Sequence, residues 1–206
     1  MARDEERAAR ARQVPIVGGL PDVPGIGVAM RLTPGLGIHL RGLADEVLVN
    51  DYPGATIGRE QREMLATAVS AANDCFFCMD SHAAHTTALL ERNGGDELAL
   101  LVDALKTGAS AGFDPKMQAL LHIARTVRGD ALALSSADVD AATAAGATDA
   151  DVQLAVLIAS AFSMYNRLVD GFRAHTAPTT DVYRARADEI AEHGYSAPPV
   201  PIPTRG

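Results

Sequence analysis

Apolar stripes at helical spacing, each closed by glycine, proline or asparagine, are what most constrain this chain. Leu40, Leu43, Ala44, Val47 and Leu48 recur at i, i+3, i+4, i+7 and i+8, one face of an α-helix, and Asp51-Tyr52-Pro53-Gly54 ends it. A second helix is expected from about Arg59 to Ala72, with Met64, Leu65, Ala68, Val69 and Ala72 inward. Asn73 or Asp74 then caps a third, carrying Cys75 to Arg92 and stopping at Asn93-Gly94-Gly95. Leu98, Leu101, Val102 and Leu105 mark a short fourth helix before Gly108, and Met117, Leu120, Leu121, Ala124 and Val127 a fifth, opened by Asp114-Pro115. Ser135 or Ser136 caps a short helix ending at Gly146. Thr148 or Asp149 caps a long one reaching about Phe172, apolar nearly all round between Leu154 and Ala159, as in a central or interfacial helix. Thr180 to His193 forms a last amphipathic helix, and no segment has the alternation of a strand.

The expected fold is therefore all-α, a helical bundle in which a hairpin of two helices bends beside Cys75. Composition agrees: aromatics are 4% and Trp is absent, so the core must come from Ala, Leu, Val and Ile, residues suited to close-packed helices. The chain divides into a Gly/Pro-rich N-terminal arm (1–35) that packs on the body or on a neighbour, a helical domain (36–195) and an extended Pro-rich tail (196–206).

Charge and termini narrow the function. Asp and Glu exceed Lys and Arg by 26 to 18, a net of -8 with the acids dispersed, so the surface repels phosphates and nucleic acid is not an expected partner. The first fourteen residues lack the apolar stretch of a secretory signal. The longest apolar run, Leu154 to Phe162, is far short of the roughly 20 residues of a membrane span. A cytoplasmic location without membrane association is expected. Two cysteines in such a chain are too few for a disulfide framework, and their C-x-x-C spacing points to redox or metal chemistry.

The chemistry concentrates between Glu63 and His82. On a helix starting near Cys75, positions i, i+3 and i+7 bring Cys75, Cys78 and His82 onto one face, with an imidazole one turn from a thiol. First-turn N–H groups and the helix dipole favour a thiolate there, so both thiols are expected to titrate low. If the chain reverses at Asn73-Asp74, Glu63 lies level with His82, where a carboxylate fixes the imidazole tautomer and raises its basicity. The result is a Glu–His–Cys proton relay. Zinc on Cys75, Cys78, His82 and His85 fails on reach, since Cys75 and His85 are ten positions apart, ~15 Å of helical rise.

The pattern Glu63, Cys75-x-x-Cys78, x-x-x-His82 resembles the motif of the AhpD-like alkylhydroperoxidases within the carboxymuconolactone decarboxylase family, and Tyr165-Asn166-Arg167-Leu168 is similar to a stretch common there. The resemblance runs from about Leu40 to Phe172. It implies an AhpD-like helical fold, assembly as a homo-oligomer, and thiol-dependent reduction of hydrogen peroxide or small organic hydroperoxides without cofactor or metal. By this resemblance Cys78 is the peroxidatic cysteine, Cys75 the resolving one, and Glu63 with His82 the relay; an external dithiol is the reductant. Some relatives carry histidine where this chain has Phe77.

Blander roles stand beside these. The cysteines can be a buried structural pair, Glu63 a solvent-facing residue, and His85 a hydrogen-bonded structural histidine rather than an accessory of the relay. Phe76 and Phe77 close a pocket or fill the core. Asn166, Arg167 and Asp170 suit an interface, an intersubunit ion pair or a substrate contact, while His122 and His175 have no evident partner. Two other functions fit the same residues: a disulfide reductase or electron-transfer partner using the CxxC pair, and a non-catalytic helical assembly or binding module.

Overall fold

The computed structural model describes residues 2–177 and 179–196; the tail read as extended and Pro-rich lies, apart from Ser196, outside the described residues. Among those described, eleven α-helices follow one another with no strand: α1 (Ala2–Ala11), α2 (Gly27–Leu32), α3 (Pro34–Leu48), α4 (Arg59–Ala72), α5 (Phe76–Arg92), α6 (Asp96–Ala99), α7 (Val102–Lys106), α8 (Pro115–Gly129), α9 (Ser136–Ala144), α10 (Asp149–Gly171) and α11 (Val182–His193). The all-α expectation holds. The single helix expected around Leu98–Leu105 is two short ones, α6 and α7, and the arm contains helices α1 and α2.

Side-chain caps start the helices where the sequence places them. Thr33 accepts from Leu36 N before Pro34 opens α3, Asp114 accepts from Met117 N before Pro115 opens α8, and Ser135 and Thr148 cap α9 and α10. Asp151 does more than close the box with Thr148. Its buried carboxylate takes Thr56 N (2.7 Å), Thr56 Oγ1 (2.6 Å) and Ile57 N (3.0 Å), pinning the loop that leads into α4.

The hairpin of α4 and α5 is the centre of the molecule: α10 and α8 pack on α4, and α11 packs on α5. Leu65, Val69, Leu120, Leu121, Leu154, Ile158 and Phe162 fill the space between. As a whole helix α10 is long and apolar enough to cross a membrane, which its nine-residue apolar run does not reveal, but Leu154, Ala155, Ile158 and Ala159 are wholly buried in the core.

The bend between α4 and α5 sets up everything that follows. The expectation that Asn73 or Asp74 caps α5 is corrected: Cys75 itself is the capping residue, with no side-chain cap bond. Cys75 N donates to Ser70 O (3.1 Å) and Asp74 N to Ala71 O (3.1 Å), the paired bonds of a Schellman ending for α4. Asp74 takes the left-handed position of that motif, φ 55°, where glycine is usual. Asn73 is spent on the scaffold: its Nδ2 donates to Asn166 Oδ1 (2.8 Å), its Oδ1 accepts from Arg128 Nε (2.8 Å), and Asn166 donates on to Ser70 Oγ (3.1 Å). Asn166 therefore ties the bend to α10, whereas Arg167 is exposed and, among the described residues, bonds its own helix at Ser163 O.

Candidate active site

Where the bend delivers α5, Cys78 falls in the first turn and His82 and His85 follow on the same side. Cys75 is fully buried and Cys78 nearly so, and their sulfurs touch at 3.2 Å as free thiols. Cys78 lines a cavity of about 170 Å3 together with His82, His85, Phe77, Phe162 and Tyr195; Cys75 does not reach it. The two cysteines thus differ in access despite their shared helix face.

The titration of Cys75 also departs from expectation. The Cys75 thiol is pushed far up, first by its hydrogen bond to Cys78, then by burial and by the nearby Asp170 carboxylate. The Cys78 backbone N–H in the first turn works the other way, but it is the smallest of these effects. Asp170 is itself raised by burial, eased by Arg10 at 3.5 Å and by the Cys75 thiol. It is thus a partner of Cys75 within the chain.

Glu63 meets His82 as the hairpin geometry requires: Oε2 lies 2.6 Å from His82 Nδ1. At 1% exposure Glu63 would be driven toward its neutral form by burial, but His82 and, less, His85 hold it well below the usual carboxylate range. The solvent-facing alternative for Glu63 is excluded. His82 is wedged against the Phe162 ring at 4.5 Å, which fixes its plane.

Sequence reasoning missed Tyr195. Its hydroxyl, on the turn after α11, lies 2.6 Å from Glu63 Oε1, 2.9 Å from His85 Nδ1 and 3.2 Å from His82 Nδ1. Burial and the Glu63 charge raise its pKa well above normal, so it stays a neutral phenol and its one proton goes to Glu63, the charged acceptor. His85 Nδ1 must then be the donor to Tyr195, and Nε2 is left a lone-pair acceptor. Among the described residues that Nε2 has no partner. Burial lowers the His85 pKa, consistent with a neutral ring. No sequence spacing signals Tyr195, because it arrives from the far end of the chain.

Glu63, His82 and His85 also place one possible metal-ligand atom each within 4.8 Å of one another. Three such donors resemble the protein half of a catalytic zinc site. Here, however, the Tyr195 hydroxyl bonds all three, and charge and hydrogen bonding account for their convergence.

The arm closes the site. Leu20, Val23, Ile26 and Val28 pack around the cysteines, and Gly25, at φ 55°, lies flat on Phe77: a Cβ there would come within 2.2 Å of the ring. Gly25 N donates to His175 O (3.0 Å), and His175 Nε2 lies 3.5 Å from Asp22. Arg7 Nε at 2.7 Å from buried Asp80 fastens α1 to α5. His175 is therefore not without a partner, nor is His122, which bonds Asp138 at 2.9 Å. Phe76 packs with Ala71 and Met79 on the other side of the helix.

Residues 45–126 match the carboxymuconolactone decarboxylase family. Two solved structures have the same fold. One is the alkylhydroperoxidase AhpD core of an uncharacterized peroxidase-related protein from Ralstonia eutropha JMP134, 23% identical over 81% of this chain and 82% of that one, with a TM-score of 0.66. The other is an uncharacterized peroxidase-related protein from Silicibacter sp. TM1040, 19% identical over 84% and 93%, with a TM-score of 0.65. No curated protein matches the chain. Glu63, Cys75, Cys78 and His82 lie inside the matched segment, whereas Tyr195 and the arm lie outside it.

Proposed function

From a chain whose residues 45–126 match the carboxymuconolactone decarboxylase family and whose fold is that of the AhpD core, we propose a thiol peroxidase that turns over through Cys78 and Cys75. One observation supports this above the rest: Cys78 lines a cavity beside a buried, charge-coupled Glu63–His82 pair, with a second thiol at 3.2 Å.

His82, its Nδ1–H held by Glu63, takes the Cys78 thiol proton at Nε2. The Cys78 thiolate attacks the terminal oxygen of ROOH, the O–O bond breaks, and the leaving alkoxide takes the proton from His82 as ROH. Cys78 is now a sulfenic acid. The Cys75 sulfur attacks the Cys78 sulfur, the S–O bond breaks, and the hydroxide leaves as water with the Cys75 proton. Asp170, against Cys75, is placed to carry that proton. An external dithiol returns the disulfide to two thiols and is itself oxidised. Tyr195 and His85 position Glu63 and do not touch sulfur in this scheme.

The covering arm favours a small peroxide over a protein disulfide as the oxidant of these thiols, since both sulfurs are shielded by Leu20, Val23 and Ile26. Pre-reduced protein mixed with stoichiometric peroxide should lose two hydrogens' mass rapidly. Cys75→Ser should trap a sulfenate and Cys78→Ser should not. Oxidation no faster than that of an ordinary free cysteine would reject the peroxidase and leave the disulfide reductase as the better reading.

A further inference from the structure

The cavity in front of Cys78 has a chemistry that the peroxidase reading alone does not require. Hydrogen peroxide needs room for two oxygens and polar walls. This cavity holds about 170 Å3, comparable to the ~150 Å3 apolar cavity that admits benzene. Its walls are mainly apolar, with Ile26, Met30, Ala44, Phe77, Phe162 and Ile190 among them, and Ser81, His82 and Tyr183 add polar groups. An apolar stem of roughly benzene's size is therefore what it excludes water for.

Its charges are the second observation. Nineteen residues line the cavity; three are arginines, Arg31, Arg41 and Arg186, and none is aspartate or glutamate. The chain as a whole carries 26 acids against 18 bases, so this concentration of cations runs against its composition. Arg186 is paired with Glu189 at 2.5 Å. Arg31, exposed, and Arg41, half-buried, pair with no carboxylate among the described residues. At the other pole stand Cys78 and His82, so the reacting end of a ligand lies there. An arginine fork suits a carboxylate.

The geometry points to an organic hydroperoxide that bears an anionic head, such as a carboxylate, on an apolar stem: its O–OH end at Cys78 beside His82, its stem against Phe77 and Phe162, and its head held by Arg31 and Arg41. The inference rests on the peroxidase reading for the reaction, but the recognition of an acidic amphiphile is independent of it. Arg31 and Arg41 are specificity-determining in this scheme, and on an acidic protein they supply the local positive potential that draws an anion in.

Two measurements on the full chain test this. In the first, octanoate and octan-1-ol are titrated into the reduced protein by calorimetry. Octanoate should bind at least about tenfold more tightly, one full 1.4 kcal/mol step, and the preference should shrink in Arg31→Gln/Arg41→Gln and in wild type as salt is raised, the latter needing no substitution. In the second, kcat/KM is compared for a carboxylated hydroperoxide and its methyl ester. The acid should be favoured in wild type, and the acid-to-ester ratio should fall about tenfold in the double variant. Equal binding of octanoate and octanol, or an acid-to-ester ratio near one with brisk turnover of both, overturns the acidic-substrate inference and leaves the peroxidase reading standing. Arginine- and salt-dependent octanoate binding with no turnover of either hydroperoxide supports the anionic site and rejects the peroxidase.

Discussion

Replacing Tyr195 by Phe removes one oxygen and keeps the ring, so its consequences follow from three distances. The hydroxyl donates to Glu63 Oε1 at 2.6 Å and accepts from His85 Nδ1 at 2.9 Å, with His82 Nδ1 at 3.2 Å. Glu63 is 1% exposed and His85 3%, so neither regains water when the hydroxyl goes. Each buried group left without its partner costs about 1–3 kcal/mol, and the carboxylate, being charged, lies in the upper part of that range. Together the loss should be about 3–6 kcal/mol, against a total stability of roughly 5–15 kcal/mol for a domain. For a chain of this length that lowers Tm by about 6–24 °C. The same change frees one Glu63 oxygen and loosens its hold on His82, so the peroxide-driven loss of Cys78 thiol should slow as well. Thermal and urea unfolding of the reduced protein, paired with stopped-flow thiol oxidation, read both effects. A Tyr195→Phe protein melting within about 1 °C of wild type and oxidising at the same rate would refute the placement of Tyr195 in the relay.

Further outcomes follow from neighbouring features. Glu63→Gln keeps the shape but removes the charge at 2.6 Å from His82 Nδ1, and a charge-assisted bond of about 1.5–3 kcal/mol predicts a drop of roughly 10- to 100-fold in the rate of peroxide-driven thiol loss; a change below twofold would count against the relay. Both Glu63 and His85 have folded pKa values below their unfolded ones, so the unfolded chain takes up protons first and stability, full at neutral pH, falls on acidification. The His85 contribution begins to fade below its ordinary pKa of ~6.5 and the Glu63 contribution below ~4.3; His85, facing Glu63, His82, Tyr195 and Arg186, should therefore give a fall in Tm between pH 6.5 and 5 that His85→Gln flattens. Gly25→Ala forces a Cβ within 2.2 Å of the Phe77 ring at φ 55° and should cost about 1–3 kcal/mol while raising the reactivity of Cys78 toward bulky alkylating reagents; an unchanged alkylation rate would mean that the arm does not guard the thiol. Asp74→Gly relieves the left-handed residue at the bend and should leave the protein as stable or more so by about 0.5–1 kcal/mol, whereas loss of stability on urea unfolding would show that Asp74 has a further partner in the folded chain.

What the sequence determined by itself was what depends on near neighbours. Helix spacing fixes α4 at Arg59–Ala72, and Gly94, left-handed at φ 74°, stops α5. Once two helices are joined by a tight bend, residues equidistant from it are level, so the Glu63–His82 contact was legible from spacing, and Cys78 and His82 share a side because helical periodicity puts them there. Only the tertiary structure decided the environment of these groups. Spacing puts Cys75 and Cys78 on one helix face, yet one is sealed against Asp170 and the other lines a cavity, because burial depends on which distant segments cover each sulfur. Tyr195 stands 132 positions from Glu63, and no local pattern links them. Arg31, Arg41 and Arg186 are scattered charges in the sequence and become a cationic rim only when α2, α3 and α11 meet around the same cavity. Desolvation and long-range charge set the chemistry of a site, and both are properties of the packed chain rather than of any window along it.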